Sequence, residues 1–384
     1  MRHFTSTGLA LLAVAAFMLA GVASGAGDAT RGDTLYHATY GCNECHGDNP
    51  GPGFAPALTG PNLLNIINFV TPMKNRFKST LGQNATDLAD IAAWLSSLGG
   101  GVPAGLDIDQ HGLTGSWYEA ATSGQGIEVE FFPDLVAPGT ALVHGAWFTF
   151  DVAPRGGADR ERWYTFSGNA VRGQTNVPIT IYRNVGGNFN AAPITSATAV
   201  GSGTLAFTDC DNGTLAYQFS DGSGRNGTVA LTRLLKNVTC AKGSTPPLSA
   251  DFALSGNWFD VATSGQGIVV EVNPALPYFF LTWYTYAPSG QAAGAAGQRW
   301  FTAQAGYSPG SRTITATLFE TTGGIFDQAA NPAPVTDPVG VATITFASCS
   351  SAQLEFNFTA GSAAAKAGTI ALTRIGPVPP GCVP

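Results

Sequence analysis

From residue 113 onward, apolar and polar positions alternate one by one in short runs, the period of a strand with one face buried. The run at 125–132 shows it best: Ile127, Val129 and Phe131 share one face, and Glu128 and Glu130 the other. Turn residues separate such runs. In the first half of this region they predict eight strands, near 115–119, 125–132, 141–150, 160–167, 176–184, 198–208, 213–219 and 226–233. Before residue 101 the period changes. Residues 87–98 place Leu88, Ile91, Ala92 and Leu95 at helical spacing, and Gly99, Gly100 and Gly101 end that helix. Shorter helices are predicted at 31–41, with Leu35 and Tyr36 turned inward, and at 62–69. At the N-terminus, Arg2 and His3 precede an apolar run over 8–22 and small residues at 23–26. This reads as an export signal, too short to span a bilayer comfortably.

The alternating region is written twice. Leu113-Thr114-Gly115-Ser116-Trp117 answers Leu254-Ser255-Gly256-Asn257-Trp258, and each is followed by the same Thr-Ser-Gly-Gln-Gly-Ile segment, at 122–127 and 263–268. The match continues through Trp147 and Trp283, Trp163 and Trp300, and the pairs Gly186-Gly187 and Gly323-Gly324. It ends with Cys210 and Cys349, Arg233 and Arg374, and Cys240 and Cys382. Equivalent cysteines are expected to pair within each copy, Cys210 with Cys240 and Cys349 with Cys382, as structural staples. Eight short strands per copy fit a meander barrel or a sandwich.

Composition agrees with a turn-rich β protein: only 11% of the 384 residues are charged, while Gly (49) and Pro (24) are plentiful. A net charge of −7 argues against nucleic acid as a partner, and no basic run suggests an anionic membrane. No stretch beyond the leader is long enough for a transmembrane anchor in the mature chain. Disulfides fit export to the periplasm or the extracellular space.

One pentapeptide carries cofactor chemistry. Cys42-Asn43-Glu44-Cys45-His46 has the C-x-x-C-H spacing of covalent haem attachment: two thiols reach the two vinyl groups of one porphyrin, and the adjacent imidazole faces the iron. A zinc site would need a second Cys/His pair nearby, and the next cysteine is Cys210.

With the predicted helices, the loop Ala55-Pro56-Ala57-Leu58 and the Trp94-Leu95 pair, residues 27–100 resemble a class I c-type cytochrome. The resemblance implies a small all-α domain with one haem c. It also implies Met73 as the sixth iron ligand opposite His46, so that both belong to the metal site. The interval from His46 to Met73 is shorter than in many such cytochromes, which would leave one haem edge more open. Lys74, Arg76 and Lys78 form either a solvated face or a basic collar for an acidic redox partner.

The Gly-x-Trp opening with an arginine in the last strand resembles the lipocalin and avidin superfamily. That resemblance implies Arg233 packed over Trp117 and Arg374 over Trp258.

The expected organisation is therefore multidomain: a signal at 1–26, an all-α cytochrome domain at 27–100, a linker at 101–112, and all-β repeats at 113–241 and 252–384. The second copy lacks histidine, which excludes a Ser-His-Asp triad or His-ligated metal shared by both. Glu130 and Glu271 correspond, and a carboxylate pair for glycoside cleavage would need a second matched acid, for which Glu119 and Asp260 stand. No catalytic residue is assigned. The expected function is single-electron transfer by an exported monohaem protein, with repeats that dock a partner or bind a small ligand or polymer. The alternatives are a haem enzyme or gas or redox sensor, and a ligand-binding β protein with an accessory cytochrome.

Overall fold

The computed structural model of the chain describes residues 29–35, 87, 90–91, 106–153, 156–242 and 247–383. The chain divides into two units, Met1–Gly101 and Val102–Pro384.

In the first unit the described helix α1 (Ala29–Thr34) is followed by buried Leu35, and Arg31 ion-pairs with Asp87 and Asp90. The expected all-α domain and the class I cytochrome resemblance are corrected here. No described helix reaches seven residues, and the described residues are otherwise nearly all β. Among the described residues, the six of α1 rise only about 9 Å, under two turns. Of the predicted helix at 87–98, Asp87, Asp90 and Ile91 are described, all helical. Cys42, Cys45, His46, Met73 and the export signal lie outside the described residues. Among the described residues, no helix is long and apolar enough to cross a membrane.

The second unit holds two closed antiparallel barrels of eight strands each. The first runs β1 (Gly115–Tyr118), β2 (Gly126–Ala137), β3 (Thr140–Phe150), β4 (Glu161–Val171), β5 (Asn176–Arg183), β6 (Thr198–Phe207), β7 (Asn212–Phe219) and β8 (Asn226–Arg233). The second runs β9 (Gly256–Phe259), β10 (Gly267–Asn273), β11 (Tyr278–Tyr286), β12 (Gln298–Gly306), β13 (Thr313–Thr322), β14 (Val335–Phe346), β15 (Ser351–Phe358) and β16 (Ala367–Arg374). Each strand pairs with the next, and the last closes on the first through Trp117↔Arg233 and Trp258↔Arg374. Closure leaves no strand edge unpaired, which decides for barrel over sandwich.

The first barrel takes in part of the stretch read as linker. Leu106 and Ile108 are in its core, and Arg172 pairs with Asp107 and Asp109 at 3.0 and 2.7 Å. Both expected disulfides form, with Cα–Cα separations of 5.7 Å for Cys210–Cys240 and 6.1 Å for Cys349–Cys382.

Both interiors are packed. Ile127, Val129 and Phe131 point inward as the alternation predicts, and the hole left beside Trp147 is about 10 Å³. Its counterpart beside Trp283 is also about 10 Å³. Each has room for one water at most.

Part of each filling comes from the other barrel. The loop after β5 carries Phe189 into the second barrel, 5.3 Å from Trp283 and 5.8 Å from Phe356. The loop after β13 carries Phe326 into the first, 5.1 Å from Trp147 and 5.8 Å from Phe219. The glycine pairs before these phenylalanines permit the approach: a Cβ on Gly187 would come to 2.2 Å of the Tyr286 ring, and one on Gly324 to 2.1 Å of the Phe150 ring.

Candidate functional site

The functional candidates of the described region gather at the seam between the barrels, where outward-facing residues of β3 and β4 meet those of β10, β11 and β12. Phe148, Phe150 and Trp163 pack with Tyr284, Tyr286 and Trp300 in one buried cluster. The contacts repeat about a pseudo-two-fold axis: the Trp163 indole donates to the Thr285 carbonyl at 2.9 Å, and the Trp300 indole to that of Thr149 at 3.0 Å.

The repeated motifs are the parts that grip the opposite copy. Gln125 Nε2 donates to the Ile325 carbonyl at 3.1 Å, while its Oε1 accepts from the Asp327 amide at 3.1 Å and from the Thr149 hydroxyl at 2.6 Å. Gln266 treats the other plug alike, donating to the Asn188 carbonyl at 3.1 Å and accepting from the Asn190 amide at 3.0 Å. The glycines of Gly-x-Trp sit at φ +135° (Gly115) and +137° (Gly256). A Cβ on Gly256 would meet the Glu130 carboxylate at 2.1 Å, and one on Gly115 that of Glu271 at 2.9 Å. Glycine is needed here both for the left-handed backbone and for the opposing acid.

Glu130 and Glu271 are therefore reciprocal inter-barrel anchors. Glu130 accepts from the Asn257 amide (2.5 Å), the Asn257 side chain (2.9 Å) and Arg374 (2.9 Å). Glu271 accepts from the Ser116 amide at 2.9 Å, with Arg233 farther off at 4.0 Å. The arginines stack as the second resemblance implied, 4.6 Å from the Trp117 ring for Arg233 and 4.7 Å from the Trp258 ring for Arg374. Each also ties its disulfide to the turn before its first strand. Arg233 donates to the carbonyls of Cys210, Thr114 and Gly112, and Arg374 to those of Cys349, Ser255 and Ala253. Glu130 and Glu271 are thus committed to the opposite barrel, and Asp260 caps a short 3-10 turn through the Ala262 amide.

Burial dominates the electrostatics of the seam. It pushes the Glu130 carboxyl up to about 7 against the pull of Arg374 and Asn257. Burial raises Glu271, and it raises Glu128 well above the carboxylate range with Glu271 adding to it. Glu161, whose carboxylate accepts from the Trp300 amide at 2.9 Å, is raised by burial and then by Glu320. Burial, then Arg374, lowers His111 to about 3, and burial lowers His144.

The signs oppose each other. A raised carboxyl contributes stability below its unfolded value and loses it as pH rises through the folded value. A lowered histidine loses stability as pH falls below its ordinary range. Above that range only the carboxyls still act, each with a slope of up to about 1.4 kcal/mol per pH unit. The urea midpoint is thus expected to be lower at pH 8 than at pH 6.5. A midpoint that holds steady or rises would mean that these acids are ionised throughout.

Two clefts flank the seam, of about 400 and 530 Å³. The smaller lies between Ser116, Tyr118 and Glu128 of the first barrel and Phe280, Thr282 and Thr302 of the second. The larger holds His144, Trp163 and Asn184 against Phe259, Tyr284 and Arg374. Of the site residues expected from sequence, Cys42, Cys45, His46 and Met73 fall outside the described residues, and among those described no group of three His, Cys, Asp or Glu is placed to hold a metal. Sequence reasoning missed the plugs and the clefts. The matched glycine pairs were the available signal, since Phe189 and Phe326 each stand two residues beyond one.

No protein-family model matches the chain, and no curated protein matches it. The two family resemblances stated above thus gain no support from that side. Among solved structures, the chain is similar to the immune modulator A of Aeromonas veronii at 12% identity, over 68% of this chain and 92% of that one, with a TM-score of 0.19. At that score the likeness bears on neither fold nor function.

Proposed function

We propose that the protein is an exported carrier of one covalently bound haem that passes single electrons, and that the barrel pair is a rigid body for docking. Its cysteine inventory carries the reading. The two barrel disulfides use four of the six cysteines, and the two that remain, Cys42 and Cys45, stand at the haem-attachment spacing with His46 beside them.

The donor set fits the group. The Cys42 and Cys45 thiols would hold the porphyrin covalently, and the His46 imidazole and the Met73 thioether would be its iron donors. Bound haem supplies a reversible one-electron couple. The chain would supply covalent anchorage through Cys42 and Cys45 and two iron donors, His46 and Met73, a set suited to electron transfer. Two disulfides belong to an oxidising compartment, and we place the protein in the periplasm or outside the cell. An acidic redox partner suits the Lys74, Arg76 and Lys78 run.

Full-length protein made in a host competent in covalent haem attachment is expected to be red and to keep its haem through denaturing electrophoresis. Joint Cys42→Ser and Cys45→Ser replacement abolishes the colour, and Met73→Leu removes the far-red sulfur-to-iron band of the oxidised form. A colourless wild-type product overturns the reading.

A further inference from the structure

The duplication supplies an internal control for the smaller cleft. Glu128 and Thr282 both line it, 3% and 4% exposed respectively. The repeat places Val269 where Glu128 stands and Ala146 where Thr282 stands, and both of these belong to the apolar cluster of the seam. The same architecture is therefore built without either polar group, so the fold does not require them. A buried hydroxyl or carboxyl without a partner is destabilising, and it persists where something else hydrogen-bonds it.

Thr282 is in that position: its hydroxyl is buried with no hydrogen-bond partner among the described residues. One Glu128 oxygen accepts from the Ser116 hydroxyl at 3.0 Å. Burial, then neighbouring Glu271, raises the Glu128 carboxyl well above the carboxylate range, which favours the protonated form, able to donate as well as accept. Among the lining residues Glu128 is the only acid, and no lysine or arginine is present. The other polar groups are hydroxyls and amides, among them Thr302, Gln304 and Thr321, set beside the rings of Tyr118 and Phe280. A charged ligand would lose its hydration here and find no counter-charge. A wholly apolar one would leave Thr282 unpaired.

We propose that this cleft binds a neutral saccharide, its hydroxyls hydrogen-bonded by Thr282 and Glu128 and its C–H face laid on the aromatic wall. A volume of about 400 Å³ falls at the small end of ligand sites, the scale of one or two sugar rings. The proposal does not rest on the haem and can fail or stand without it.

The test uses the full chain and a panel of glucose, galactose, mannose, N-acetylglucosamine, cellobiose and chitobiose, read by saturation-transfer NMR and by tryptophan fluorescence. Saturable binding of at least one sugar is expected. Thr282→Val keeps the shape and removes the hydroxyl, so it is expected to weaken binding about tenfold, the scale of one hydrogen bond to a buried partner. Thr165→Val, in the other cleft, is expected to leave binding unchanged. Should Thr282→Val not fold, Thr302→Ala on the same wall is the second variant, with a loss of at least threefold expected. The absence of saturable binding across the panel overturns the proposal, as does binding that survives the cleft substitution.

Discussion

Replacing Arg374 by methionine is expected to lower the stability of the barrel pair by about 3–5 kcal/mol, the cost of stranding one member of a buried ion pair. Arg374 touches three carbonyls, the Trp258 ring and the Glu130 carboxylate of the other barrel, and both charged groups are buried. With the guanidinium gone, Glu130 keeps only the two Asn257 donors. Pairing the change with Glu130→Gln is expected to recover part of the loss, because a buried pair removed together costs less than one member removed alone. The penalty is also expected to be smaller at pH 5 than at pH 8, since the Glu130 carboxyl is pushed up to about 7 and is protonated at the lower pH. Arg233→Met is the comparison. Its acid, Glu271, lies 4.0 Å away, so the pH dependence of its cost is expected to be weaker. Urea unfolding at both pH values checks this. A single-variant loss near zero would mean that water reaches Glu130.

The residues that made the barrels legible differ in kind from those that made the seam illegible. Alternation located all eight strands of the first barrel, as with β3 expected at 141–150 and found at Thr140–Phe150. It also assigned Ile127, Val129 and Phe131 to the core. A period of two states that the two faces differ, but not what covers the second one. Alternation puts Glu128 and Glu130 on the face opposite the core without saying what lies beyond it, and the other barrel closes over them. Their exception to the rule that acids face water could not be seen from one strand, because the covering surface is more than a hundred residues away. The second copy carried a hint: a Glu-to-Val exchange at 128 and 269, directly after the identical Thr-Ser-Gly-Gln-Gly-Ile segment. The expected helical domain rested on windows of a dozen residues or fewer, where apolar spacing is a weak discriminator. The described residues there give one six-residue helix and three further helical positions, Asp87, Asp90 and Ile91.

Phe326→Ala is expected to destabilise the barrel to which Phe326 does not belong. Its ring sits among Trp147, Tyr217 and Phe219 of the first barrel, and the Arg225 guanidinium lies 4.7 Å above it. Truncating a buried phenylalanine costs about 3–5 kcal/mol when the surroundings cannot collapse, and a closed barrel has little freedom to do so. Hydrogen exchange should accordingly quicken in β1–β8, while β9–β16, which supply the loop, change less. Phe189→Ala should produce the mirror image, loosening the second barrel from a loop of the first. The two plugs are anchored differently. Asp327 bonds to the Tyr217 hydroxyl, whereas Phe356 at the equivalent position offers no such partner, and the Phe189 loop is tied instead through Thr195 to the Tyr286 hydroxyl at 2.8 Å and the Ser264 carbonyl at 3.1 Å. Both loops are thus expected to stay docked after their rings are lost. Exchange that quickens only in the mutated loop would leave each barrel self-sufficient. Exchange that crosses the seam means that each copy completes the core of the other, so the doubled region unfolds in a single transition and neither barrel alone reaches the stability of the pair.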